Sequence, residues 1–216
     1  YYLKRVPFLL IAKKAVKESV KVIVPSNAVK GDLIDYYKIK PDKIEVINEG
    51  VSTFDEISNF QFPTSKAGQA QLISKFFTKY QIRKPYFIYV GNAYPHKNLE
   101  TVIEAIRRLN KNRKEKVTFV IGGSRDIFKQ RLETKIKEVG VEDCVRLLGY
   151  VPDKDLFTLY KGAVAFIYPS LSEGFGLQGL EALNSGTLLV ASNIPVFKEI
   201  YDNNALFFDP KNSGEL

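Results

Sequence analysis

Residues 169–183 read PSLSEGFGLQGLEAL, which sets Glu173 and Glu181 eight positions apart around Gly174 and Gly176, directly after the apolar run 163–168. An ionised carboxylate accepts from several hydroxyls at once and is a poor phosphate ligand. One glutamate on a sugar and one on a ribose is therefore sensible chemistry for an extended sugar nucleotide. Gly174 and Gly176 take away side chains that would hold a ligand off the backbone. A helix opening near Gly176 aims free N–H groups and a partial positive charge at the same point, which suits a diphosphate. Were the intervening residues all helical, the two carboxylates would lie roughly 12 Å apart along the axis, at about 1.5 Å per residue.

These groups need a strand before them and a helix after them, and the chain supplies that pattern repeatedly. Apolar periodicity predicts strands at 86–90, 117–121, 145–147, 163–168, 187–191 and 205–208, alternating with helices at 99–109, 128–139, 155–160, 176–183 and 196–200. Strand, helix, strand at this spacing implies right-handed crossovers and a parallel sheet covered on both faces, a Rossmann-like α/β domain. Upstream, a helix over 8–20, a strand at 22–25, a helix capped by Ser26 or Asn27 and running to Tyr37, a turn at Pro41 and a strand at 44–47 form a separate section. Residues 51–66 have no period and read as a connecting loop before a helix at 69–80. The expected organisation is a remnant of a second Rossmann-like domain (1–50), a linker and helix (51–84) and a nucleotide-sugar-binding domain (85–216) that stops where another capped helix would begin.

Three further loops leave predicted carboxyl ends of strands, where open α/β sheets bind ligands. In the first, Gly91 allows a sharp turn, Asn92 follows it, and Lys97 stands just before a helix, where a cation would neutralise a pyrophosphate leaving group. His96 reads as an exposed loop residue. The second contains Gly122 and Gly123, read equally as ligand approach or as a turn in which Ser124 or Asp126 caps the next helix. The third, with Gly149, Tyr150 and Val151, could present backbone groups to a planar base or simply be a turn that needs Gly149. Neither G-x-x-x-x-G-K-[ST] nor G-x-G-x-x-G occurs, which removes the main support for ATP hydrolysis and hydride transfer.

The 216 residues include one histidine and one cysteine, so a zinc site would have to be built almost wholly from carboxylates, and no metal is expected. Cys144 excludes an internal disulfide and fits a reducing, cytoplasmic setting. The formal charge of +8 is spread along helices rather than gathered in a block. It favours anionic partners, whether nucleotide phosphates or the inner face of an acidic membrane, and leaves peripheral membrane association open. No apolar stretch approaches the ~20 residues of a membrane span, and no basic patch interleaved with aromatics points to nucleic acid.

The 169–183 run, with Lys97 after the first loop, resembles the C-terminal domain of glycosyltransferase family 4, the retaining group 1 glycosyl transferases of GT-B fold. In that resemblance residues 24–51 look like the end of the family's N-terminal domain and its linker. Glu173 and Glu181 match the E-x7-E motif, which implies that Glu173 contacts the donor sugar and Glu181 the ribose, with Gly174, Phe175, Gly176 and Leu177 along the diphosphate and sugar. Lys97 matches the basic residue on the donor phosphates, and Val151 lies where the base is held through the main chain. Gly91, Asn92, Gly122, Gly123, Tyr150 and Ser170 complete the expected donor site. Many members carry an arginine where this chain has Asn92, so one phosphate cation is missing unless His96 or a residue elsewhere substitutes. The implied reaction moves a mannose- or glucose-type hexose from a UDP- or GDP-sugar to a glycan or lipid-linked acceptor hydroxyl with retention and without an obligatory metal, in polysaccharide or glycolipid synthesis. Because most of the N-terminal domain is missing, this stretch alone is expected to be inactive. A sugar-nucleotide epimerase of the same fold and a non-catalytic nucleotide-sugar-binding domain are the alternatives.

Overall fold

Short β-branched and aromatic runs form eight strands among the described residues, which are 2–51, 64–123 and 128–216 of the computed structural model. The first section holds α1 (Tyr2–Glu18), β1 (Val22–Val24), α2 (Asn27–Tyr37) and β2 (Ile44–Val46), with β1 and β2 paired in parallel. Ser26, of the two candidate caps, starts α2: its side chain accepts from the Val29 N–H. The helix α1 begins upstream of Pro7 rather than at residue 8. Most of the expected 51–66 loop lies outside the described residues. The next helix, α3 (Lys66–Tyr80), starts earlier than its apolar periodicity indicates because Ser65 accepts from the Gly68 N–H.

The main sheet contains β3 (Tyr86–Val90), β4 (Thr118–Gly122), β5 (Val145–Gly149), β6 (Ala165–Tyr168), β7 (Leu188–Ser192) and β8 (Leu206–Phe208). All pairs are parallel and the spatial order is β5-β4-β3-β6-β7-β8. Every residue of β4 and β6 is buried, as a parallel sheet covered on both faces requires. The crossovers are α4 (Leu99–Asn110), α5 (Lys129–Val139), α6 (Asp153–Lys161), α7 (Leu177–Asn184) and α8 (Pro195–Tyr201). Helix α4 shows how they dock: Leu99, Val102, Ile103 and Ile106, at helical spacing, are its buried stripe. Across the sheet an aromatic chain runs Tyr89, Phe166, Tyr168, Phe197, Tyr201, with successive ring centroids 6.2, 5.4, 4.5 and 5.1 Å apart. It leads from the core to the start of α7.

Element boundaries depart from the apolar pattern where caps decide them. Helix α6 starts at Asp153, behind Pro152, two residues before the periodicity does, with Asp153 and Asp155 in its first turn. Ser124 and Asp126, the expected caps of α5, lie outside the described residues. Among the described residues no helix is long and apolar enough to cross a membrane.

Candidate active site

The chain lays β3, β4 and β5 outward in one direction, then returns to the other side of β3 with β6, β7 and β8. The order reverses between β3 and β6, and the crevice outside the carboxyl ends of those two strands is where doubly wound sheets bind ligands. The loops flanking it are tied together. Leu171 N–H donates to the His96 carbonyl (2.7 Å), and Asn98 Nδ2 donates to the carbonyls of Pro169 (3.1 Å) and Pro210 (2.7 Å). Asn98 takes a left-handed conformation at φ 57°, which asparagine tolerates better than most residues. Its role is invisible in the apolar pattern; an asparagine immediately before a predicted helix is the only local signal.

Lys97 and Glu173, 76 positions apart in the chain, meet in this crevice. Lys97 Nζ lies 2.5 Å from Glu173 Oε1, and Ser170 Oγ donates to the same oxygen at 2.7 Å. Both charged side chains are only 12% exposed, so each is the other's main compensation. The ammonium also stands 5.9 Å from the Tyr168 ring centroid. Tyr168 donates its hydroxyl to Gln178 Oε1 at 2.8 Å. Burial, reinforced by the Glu173 charge, pushes that phenol far above its ordinary pKa, so it remains a donor. Lys97 is thus held by a carboxylate, a partner that its sequence context as a loop cation does not reveal.

Glu181 belongs to a different cluster. Tyr160, fully buried on α6, donates its hydroxyl to Glu181 Oε2 at 3.0 Å. Burial raises the Glu181 pKa above the usual glutamate value and nearby Asp153 adds to this, while the Tyr160 hydrogen bond works against it. The all-helical spacing behind the ~12 Å separation does not hold, because α7 begins only at Leu177 and Glu173 lies outside it. The two acids are therefore presented by a loop and a helix respectively.

The glycines divide by cause. Gly176 has φ 106° at the N-cap of α7, and a Cβ there would strike the Tyr201 hydroxyl, which donates to the Gly176 carbonyl at 2.6 Å. Its freedom is demanded by packing inside the protein. At Gly174 a Cβ would meet only Pro25 Cγ at 3.8 Å, ordinary contact. Gly123 has no room for a side chain, since a Cβ would collide with the Gly91 carbonyl. Gly91 N–H in turn donates to the Gly122 carbonyl (2.8 Å), and Gly123 N–H to Gly149 O (2.8 Å), which packs the ends of β3, β4 and β5 backbone to backbone. Phe175 and Val151 are buried, and Tyr150 is 73% exposed beside Val151. Asn92 uses Oδ1 to accept from Tyr94 N–H, and His96 is exposed. Leu177 is half-buried at the start of α7.

Residues 73–216 match the family model for glycosyl transferases group 1. The chain is 29% identical over 212 residues to the O-antigen chain mannosyltransferase RfbU of Salmonella typhimurium, covering 97% of this chain and 52% of that protein. It is 31% identical over 198 residues to O-antigen chain mannosyltransferase B of Escherichia coli, covering 89% and 49%. It spans about half the length of these curated relatives. Among solved structures, Anabaena HepE in complex with UDP and glucose superposes with a TM-score of 0.77 at 22% identity, over 96% of this chain and 54% of that one. Sucrose-phosphate synthase from Thermosynechococcus elongatus does so with a TM-score of 0.75 at 21% identity, over 96% and 49%. The fold is that of the GT-B glycosyltransferases, and the chain belongs to the group 1 glycosyl transferases.

Proposed function

We propose that this chain is the donor-binding part of a retaining hexosyltransferase, which transfers a mannose- or glucose-type hexose from a UDP- or GDP-sugar to a glycan or lipid-linked acceptor hydroxyl. The observation that carries this reading is the Lys97–Glu173 pair at the point where the strand order reverses, with Ser170 on the same carboxylate. A diphosphate entering beside the N-terminus of α7 would find N–H groups and, at Lys97, an ammonium already held in place. The departing diphosphate gains negative charge as the bond to the sugar carbon stretches, and Lys97 stabilises that charge. The sugar carbon becomes oxocarbenium-like, and Glu173 holds the sugar while its negative charge favours the developing cation. Glu181, fixed by Tyr160, is suited to the ribose hydroxyls. The names of the relatives, O-antigen chain mannosyltransferases, favour mannose as the hexose and polysaccharide or glycolipid synthesis as the setting.

The test is a transfer assay with the full-length protein, joined to calorimetry with UDP and GDP. Glu173→Gln should lower turnover about 100-fold or more and leave nucleotide affinity nearly unchanged. Lys97→Ala should weaken both. Parent-like turnover in both variants would remove the assignment.

A further inference from the structure

The donor loop is fixed from outside by a residue of the first section. Ser26 is fully buried, and its hydroxyl makes two bonds: it accepts from Val29 N–H at 3.3 Å, capping α2, and donates to the carbonyl of Gly174 at 2.9 Å, 148 positions away. Gly174 directly follows Glu173. Pro25 closes over the same glycine, with its own carbonyl accepting from Asn48 Nδ2 at 2.9 Å.

The N-terminus of α2 is seated as firmly as the loop it holds. Glu199 of α8 accepts from Asn27 N–H (2.7 Å) and Asn27 Nδ2 (2.9 Å) with one oxygen and from Ala28 N–H (2.8 Å) with the other. Together with Ser26 it satisfies the free N–H groups of the first turn. Ala28 packs against the main core. The same α8 carries Tyr201, which donates to Gly176 O. The segment 174–176 is therefore gripped at two carbonyls: Gly176 from its own domain and Gly174 from the first section.

We propose that Ser26 is a positioning residue for the donor site: through the Gly174 carbonyl it transmits the placement of the first section to Glu173. This rests on the glycosyl-transfer reading above. In the first section β1 and β2 form a sheet of their own, separate from the donor sheet. The Ser26 bond gives that section a direct hold on the loop that carries Glu173, so Glu173 is correctly aimed only when the first section is docked.

Three variants of the full-length protein separate this role from simple capping. Ser26→Asp keeps an acceptor for Val29 N–H but cannot donate to a carbonyl; Ser26→Ala loses both; Ser26→Thr keeps both. Circular dichroism confirms folding, amide hydrogen exchange reads the loop, and steady-state kinetics with the sugar nucleotide reads function. Exchange at Phe175, Gly176 and Leu177 should quicken about tenfold or more in the Ala and Asp variants. Their kcat should fall about tenfold or more while UDP or GDP affinity changes less than about threefold. Ser26→Thr should match the parent in all three readouts. A folded Ser26→Ala protein with exchange or kcat within about twofold of the parent would overturn the proposal, as would an Asp variant as active as Thr. If the parent transfers no sugar yet exchange still quickens in Ala and Asp but not Thr, the contact stands and the glycosyl-transfer reading falls.

Discussion

Glu181 carries a pH signature set by its burial. Its pKa is raised chiefly by burial, so the folded protein holds that proton more tightly than the unfolded chain does. Stability from such a group is fully present below the unfolded pKa and is lost as pH rises through the folded one. Above that raised pKa the ionised carboxylate is therefore a cost to the fold. Glu181→Gln preserves an acceptor for the Tyr160 hydroxyl and removes the buried charge. Its melting temperature at neutral pH should equal or exceed the parent's, and the gap should close on acidification towards ordinary glutamate pKa values. Donor affinity should drop about tenfold or more, as expected for losing a charge-assisted hydrogen bond. A Gln variant less stable at neutral pH would show that the carboxylate is compensated by more than Tyr160.

At the scale of elements, α7 owes its position to α8. Gly179 lies against the ring and hydroxyl of Tyr201, with no room for a Cβ. Gly179→Ala should overpack that contact and cost about 1–3 kcal/mol in urea denaturation; a change near zero would mean that α8 yields freely. Most strands and helices are legible in the chain because buried strands are short continuous apolar runs, as in β6, and helices repeat their apolar residues at about 3.6 positions, as in α4. Boundaries such as the start of α6 escape because Pro152 and two first-turn aspartates, not apolar periodicity, set them. Glu173, Glu181 and Lys97 stand out by type and setting, but their partners do not. Nothing local ties Lys97 to a carboxylate 76 positions away, Glu181 to Tyr160, or Ser26 to Gly174. The reason for Gly176 is likewise hidden, since the tyrosine that demands it is 25 positions on.

For the whole molecule, the controlling fact is that one parallel sheet reverses its strand order once, between β3 and β6, and that the reversal gathers residues from both halves of the domain. Lys97 comes from the first half, Glu173 and Glu181 from the second, and Ser26 from outside the sheet altogether. The net charge of +8 adds a diffuse attraction for anions without choosing among them. On the proposed reading, selection has to come from the largely buried Lys97 ammonium, for a diphosphate, and from two carboxylates in separate surroundings, for hydroxyls. A crystal structure with an unreacted UDP- or GDP-sugar tests this most directly. The diphosphate should lie at Lys97 Nζ and the first N–H groups of α7, with Glu173 on the hexose and Glu181 on the ribose. A sugar nucleotide bound away from the β3–β6 crevice, or bound there with both glutamates turned aside, would contradict the account.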